Sequence, residues 1–175
     1  MPDLTLQLLL ARHTLGLDRS WDVPPIADQA LSRGIYSPSL AELAALPALP
    51  ATAAEVDPLM ARLPLELDLP PRLKAEAAWF LAPHYIQQAA TGSPREPLDQ
   101  LRQVCSASRD VLPDDGYVGS ALDIGMLIGL YWHYTEPGEN YYHAERRTIT
   151  DEGERIALLD RLAQEEARDW LKRHP

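Results

Sequence analysis

Apolar residues in this chain return every three or four positions, the period of a helix face rather than of a strand. Leu4, Leu8, Ala11 and Leu15 set the first stripe, and Gly16 stands where a C-terminal cap belongs. Asp22 or Pro24 opens a short second helix through Ile26, Ala27, Ala30 and Leu31, which Gly34 closes. At Ser37-Pro38 the cue is sharper. The serine hydroxyl caps free amides, and proline at the first helical position gives up a hydrogen it would not have used. That helix carries Leu40, Leu43 and Ala44 and stops before Pro47.

The proline-rich stretch that follows offers two starts, a Thr52/Glu55 capping box and Asp57-Pro58. A short turn feeding a second short helix would reconcile them. From Pro71 to about Ala90, Leu73, Ala77, Phe80, Leu81 and Tyr85 share a face, and Pro83 inside it predicts a kink or a split near Leu81. His84 shares this face as a half-buried, hydrogen-bonded histidine. Pro94 or Pro97 begins the next helix, whose Leu98, Leu101 and Cys105 turn to the core.

Residues 119–134 are uncharged after Asp123 and apolar nearly all round, the mark of a central helix with neighbours on several sides. Gly125 and Gly129 each cost roughly 1 kcal/mol of helix stability, which predicts close approach of another helix along their shared face. The last helix begins at Thr150, Asp151 or Glu152. Ile156, Leu159, Ala163, Ala167 and Trp170 make its stripe, and Lys172, Arg173 and His174 put positive charge at the end that favours it. No period-2 run of β-branched residues is long enough for a strand. The prediction is all-α: a single compact domain over residues 1–175, an irregular bundle of six to eight helices around the apolar helix near 119–134. Its helices are short and irregular through residue 64, and longer and packed from 71 to 173.

Charge narrows the partners. The formal net charge is −10, with 16 basic residues against 26 acidic ones, and only Lys74 and Lys172 are lysines. No Lys/Arg-rich run provides a footprint on a phosphate backbone, so no nucleic acid is expected. The same acidity opposes docking on anionic lipid and suits a basic protein partner. The opening MPDLTLQLLLARH has no basic leader and reads as an amphipathic helix. The apolar run at 124–134 is far short of the roughly 20 residues that span a bilayer. No membrane association is expected, and a cytoplasmic location is.

Chemistry is sparse. Cys105 is the lone cysteine, which leaves neither a disulfide framework nor a thiolate zinc site; on an apolar stripe it reads as a small hydrophobe. No GxSxG, GxGxxG or phosphate loop occurs, so no catalytic residue and no cofactor is expected. The most distinctive stretch is YWHYTEPGENYYH. It sets Tyr131, Trp132, Tyr134, Tyr141 and Tyr142 around a turn that carries Glu136 and Glu139. So many rings exceed what one helix face buries, and Tyr and Trp offer broad contact area at low entropy cost. A rigid acidic loop flanked by rings would complement a basic protein surface. A competing reading takes His133, Glu136 and His143 as nitrogen and carboxylate ligands of a metal-dependent hydrolase, although no HExxH is present. The plainest reading makes the rings packing alone.

LARHTLGL, followed by PPIADQALSRGIYSPSLAELAAL, resembles the opening of small bacterial all-helical proteins without assigned activity. The resemblance covers roughly residues 8–46. It implies a bacterial cytosolic all-α protein, and small acidic proteins of this kind look like antitoxin or immunity partners. It assigns no catalytic residue.

Overall fold

The computed structural model describes residues 3–47, 51–135, 143–144, 147–149 and 151–175, with the backbone alone at 143–144 and 147–148. Among them are eight α-helices: α1 (Leu4–Thr14), α2 (Val23–Ser32), α3 (Pro38–Ala45), α4 (Ala53–Glu66), α5 (Lys74–Thr91), α6 (Arg95–Ser108), α7 (Gly125–Thr135) and α8 (Glu152–Arg173). The all-α expectation holds. A two-residue antiparallel pairing of β1 (His143–Ala144) with β2 (Arg147–Thr148) is the one extended feature of the described residues, and it was not anticipated. The helices group into two compact units, Met1–Leu81 and Ala82–Pro175, whose boundary falls inside α5.

In the first unit α2 packs on α1 and α3, and α3 on α4. The core is built from Leu6, Leu9, Val23, Ala27, Leu40, Leu43, Val56, Met60 and Leu63. Local chemistry sets the helix ends. Asp3 accepts a hydrogen bond from the Leu6 amide at 3.1 Å, and its other oxygen pairs with Arg33 at 2.6 Å, joining the start of α1 to the end of α2. Helix α1 stops where Gly16 takes φ +66°, a conformation that glycine adopts without a side-chain clash. The Leu17 amide then reaches back to the Arg12 carbonyl at 2.9 Å.

This reversal brings Asp18 to His13, Oδ2 to Nδ1 at 2.9 Å. The hydrogen bond to Asp18 raises the His13 pKa above its ordinary value, against an opposing pull from burial. A raised folded pKa stabilises fully below the unfolded value, and that stabilisation is lost as pH rises through the folded one. Asp18→Asn should therefore be less stable than the parent by about 1 kcal/mol in mildly acidic solution. The two should converge above the raised His13 pKa. Urea titrations across that range test this, and a pH-independent gap would contradict it.

Helix α4 decides between the two competing starts. One helix runs from Ala53 through both Pro58 and Pro64 to Glu66, with no separate short turn ahead of it. The Thr52 amide and hydroxyl both donate to the Glu55 carboxylate, at 2.9 and 2.8 Å, so the capping box wins over Asp57-Pro58. An interior proline costs about 3 kcal/mol. Burying Val56, Leu59, Met60 and Leu63 returns about 1.5–3 kcal/mol for each side chain, which outweighs both prolines. Pro83 likewise leaves α5 as one helix, with Ala77, Leu81, Tyr85 and Ile86 buried. Leu73 precedes this helix and is exposed, so it does not share the predicted face.

In the second unit α7 packs against both α6 and α8. The predicted helix at 119–134 starts late. Ser120–Leu122 makes a single 3₁₀ turn, the chain turns at Asp123 (φ +54°), and α7 begins at Gly125. The cause lies just upstream: Asp114 Oδ1 accepts from the Gly119 and Ala121 amides, at 2.9 and 3.3 Å, and Gly119 itself stands at φ +89°. Those bonds satisfy amides that a longer helix would have had to recruit.

The second unit's last helix was read well. Asp151 caps α8 by accepting from the Glu154 amide at 2.8 Å, and Leu159, Ala163, Ala167 and Trp170 are buried along it. The Trp170 indole N–H donates to the Leu122 carbonyl at 3.1 Å, and the ring stacks on His174 at 4.2 Å. Cys105 is buried on α6 as expected, and burial pushes its thiol up to about 12, far from an activated nucleophile. Among the described residues no helix is long and apolar enough to cross a membrane.

Candidate functional site

At 3.6 residues per turn, α7 divides into two faces. Leu127, Ile128, Leu130 and Tyr134 are buried on one. Gly125, Met126, Gly129, Trp132 and His133 form the other, which carries no formal charge. Met126 is 64% exposed and Trp132 42%. Between them, no atom of the described residues lies within 4 Å of the point where a Gly129 β-carbon would stand, so the face has a notch. Gly125 is approached closely, but by the ring of Tyr117 rather than by a helix. Tyr117, itself 67% exposed, extends the apolar surface beyond α7. The helix predicted to be enclosed is therefore half open. Gly129→Ala should raise stability by about 0.4–1 kcal/mol, because alanine restricts the unfolded chain and meets no neighbour here. A higher urea midpoint at unchanged slope is the expected readout; a lower one would mean that the notch is not empty.

The three described rings of the aromatic stretch have three different fates. Tyr134 is 5% exposed, and its hydroxyl donates to Asp160 Oδ1 on α8 at 2.7 Å. It is an internal strut, not the binding ring expected. Tyr131 is half-buried, edge-on to Trp132 with centroids 5.4 Å apart and beneath the Arg102 guanidinium at 5.5 Å. Asp99 joins this group, accepting from Arg102 at 2.9 Å and Gln103 at 2.8 Å. Burial works to raise the Asp99 carboxyl, but hydrogen bonds from Tyr131, Arg102 and Gln103 outweigh it and hold the pKa below its ordinary value. Tyr131 thus belongs to a polar cluster that ties α7 to α6. Trp132 alone of the three presents its ring to solvent.

Glu136, Glu139, Tyr141 and Tyr142 lie outside the described residues, as does the side chain of His143. Of the metal reading, only His133 can be placed. It is half-buried on α7, and its backbone carbonyl accepts a bond from the Arg155 guanidinium, which also forks onto Glu152 at 2.8 and 2.7 Å. Among the described residues no three His, Cys, Asp or Glu side chains stand close enough to hold a metal ion. His84 is half-buried and bonded to Gln88 at 3.0 Å, as expected of a structural histidine. Burial lowers its pKa.

Sequence reasoning missed Met126 and Tyr117. Met126 is indistinguishable from its apolar neighbours until the buried side of α7 is known. Tyr117 is placed by the Asp114 loop, which periodicity does not register. No protein-family model, curated protein or solved structure matches this chain.

Proposed function

We propose that this chain is a non-enzymatic interaction protein that receives a helix of a basic protein partner on the outer face of α7. The observation that carries the reading is the uncharged, solvent-facing stripe of Met126, Gly129 and Trp132 on a protein of net charge −10. Methionine and tryptophan are side chains that interfaces favour, and a glycine notch between them admits a partner backbone closely. The net negative charge of the chain favours the approach of a basic partner and repels nucleic acid and anionic lipid. The resemblance of residues 8–46 to small bacterial helical proteins supports an antitoxin- or immunity-type role in the cytoplasm, in which the basic partner is a toxin.

Two variants test this reading. Gly129→Leu fills the notch while remaining a good helix former, and Trp132→Ala removes the exposed ring. The parent should capture a basic protein from a lysate of the source cells, with affinity that falls as salt rises. Each variant should weaken that capture by about 30-fold or more, the loss of about 2 kcal/mol that marks an interface hot spot. Circular dichroism establishes that each remains helical. Undiminished capture by both folded variants would refute the reading. Sedimentation of the parent as a dimer that Gly129→Leu dissociates would assign the face to a second copy instead.

A further inference from the structure

The first unit contains a cleft of about 240 Å³ that the α7 reading does not use. Leu10, Met60, Pro64 and Pro71 give it apolar walls, and His13 and Arg72 supply its charge. We infer that this cleft is a site for a small carboxylic acid with an apolar body. It lies in the other unit from α7 and uses none of the same residues.

The strongest sign is how Arg72 is satisfied. The guanidinium is half-buried, donates to the neutral amide oxygen of Gln7 at 2.9 Å, and stacks over the Phe80 ring at 3.8 Å. Among the described residues no carboxylate lies within 4 Å of it. Acids outnumber bases by 26 to 16 in this chain, and arginines elsewhere in it (Arg33, Arg102, Arg155, Arg173) hold carboxylates. An oriented guanidinium lining a cleft, with its plane fixed by Phe80 and no counter-charge among the described residues, is suited to a planar two-oxygen anion.

His13 adds a second donor. Its Nδ1 is engaged by Asp18, which raises the imidazole pKa and favours the cationic form, while among the described residues Nε2 has no partner. The other acid acting on it is Asp57 of α4. The volume equals about eight waters at ~30 Å³ each, below the range of drug-sized ligands. A body the size of a benzene ring or a branched alkyl chain fits. The hydroxyl in the lining, Thr14, already donates to the Leu10 carbonyl at 3.0 Å, so it offers no hydrogen to the extra oxygens of a phosphate.

Titration of the full chain with sodium benzoate, followed by the His13 ring and Met60 methyl signals in NMR spectra, tests the site. Benzoate should shift both sets of signals saturably and raise the melting temperature. Benzamide, which has the same shape without the charge, should bind at least about tenfold more weakly, the loss of one charge-assisted pair. Inorganic phosphate should bind more weakly still. Arg72→Gln should lose benzoate binding by a similar factor while its circular dichroism stays helical. If that variant does not fold, the benzoate–benzamide comparison on the parent decides. Equal binding of benzamide, competition by phosphate at comparable concentration, unchanged affinity in folded Arg72→Gln, or no shift up to tens of millimolar benzoate would each overturn the proposal.

Discussion

Trp170→Ala is expected to lower the unfolding free energy by about 3–5 kcal/mol, the range for removing a fully enclosed large aromatic. Only 1% of Trp170 is exposed, and its indole hydrogen satisfies the Leu122 carbonyl in the 3₁₀ turn ahead of α7. Truncation opens a cavity and orphans that carbonyl at one stroke. Against a typical total of about 5–15 kcal/mol the loss is severe. For a chain of this length the melting temperature should fall by roughly 6–20 °C. Trp170→Phe separates the two contributions, since it keeps most of the bulk and costs about 1–3 kcal/mol for the unsatisfied acceptor. Far-UV circular dichroism in urea is the measurement. A change below 1 kcal/mol for the alanine variant would mean that Trp170 is not enclosed as described.

In the first unit, Leu43→Ala should cost about 2–5 kcal/mol. Helix α3 has eight residues, well below the length at which an isolated helix persists in water, so packing must hold it. Leu40 and Leu43 are fully buried. Its other supports are polar: Ser37 Oγ accepts from the Leu40 amide at 3.1 Å, and the Glu66 carboxylate at the end of α4 accepts from the Ser39 amide and hydroxyl at 2.9 and 2.7 Å. These bonds satisfy a terminus but bury little surface, and they cannot replace the leucine. Urea denaturation checks the value. Loss of less than about 1 kcal/mol would show that α3 is held chiefly by its caps.

These helices also show what the sequence could reveal. Ser37 and Asp151 were legible as helix starts, or as neighbours of them, because a cap is a matter of one side chain and one amide a few residues away. Pro58 offered a false start for α4, and the split offered at Pro83 does not occur. Whether a proline ends a helix depends on how much surface the remaining residues bury, and that sum is set by packing partners distant in the sequence. The start of α7 was misread for a different reason. Apolar content was continuous from residue 120, but Asp114 took the amides that would have begun the helix. The aromatic stretch was legible as unusual, yet which of Tyr131, Trp132 and Tyr134 faces outward depends on Asp99 and Asp160, residues of other helices. His13 and Arg72 share a cleft because the segment after α4 returns to α1, where Arg72 donates to Gln7.

Hydrophobicity alone does not determine which side of α7 is out, since either side of so apolar a cylinder could be buried at similar gain. The choice is made by two polar contacts with α8, the Tyr134 hydroxyl on Asp160 and the Arg155 guanidinium on the His133 carbonyl. They act as an indexing pin that fixes the rotational register of the helix. Rolling it by a single residue would break both bonds and leave the enclosed Tyr134 hydroxyl without its Asp160 acceptor. Trp132 is therefore held at the surface by the penalty for unmade bonds elsewhere, rather than by any preference of its own for water.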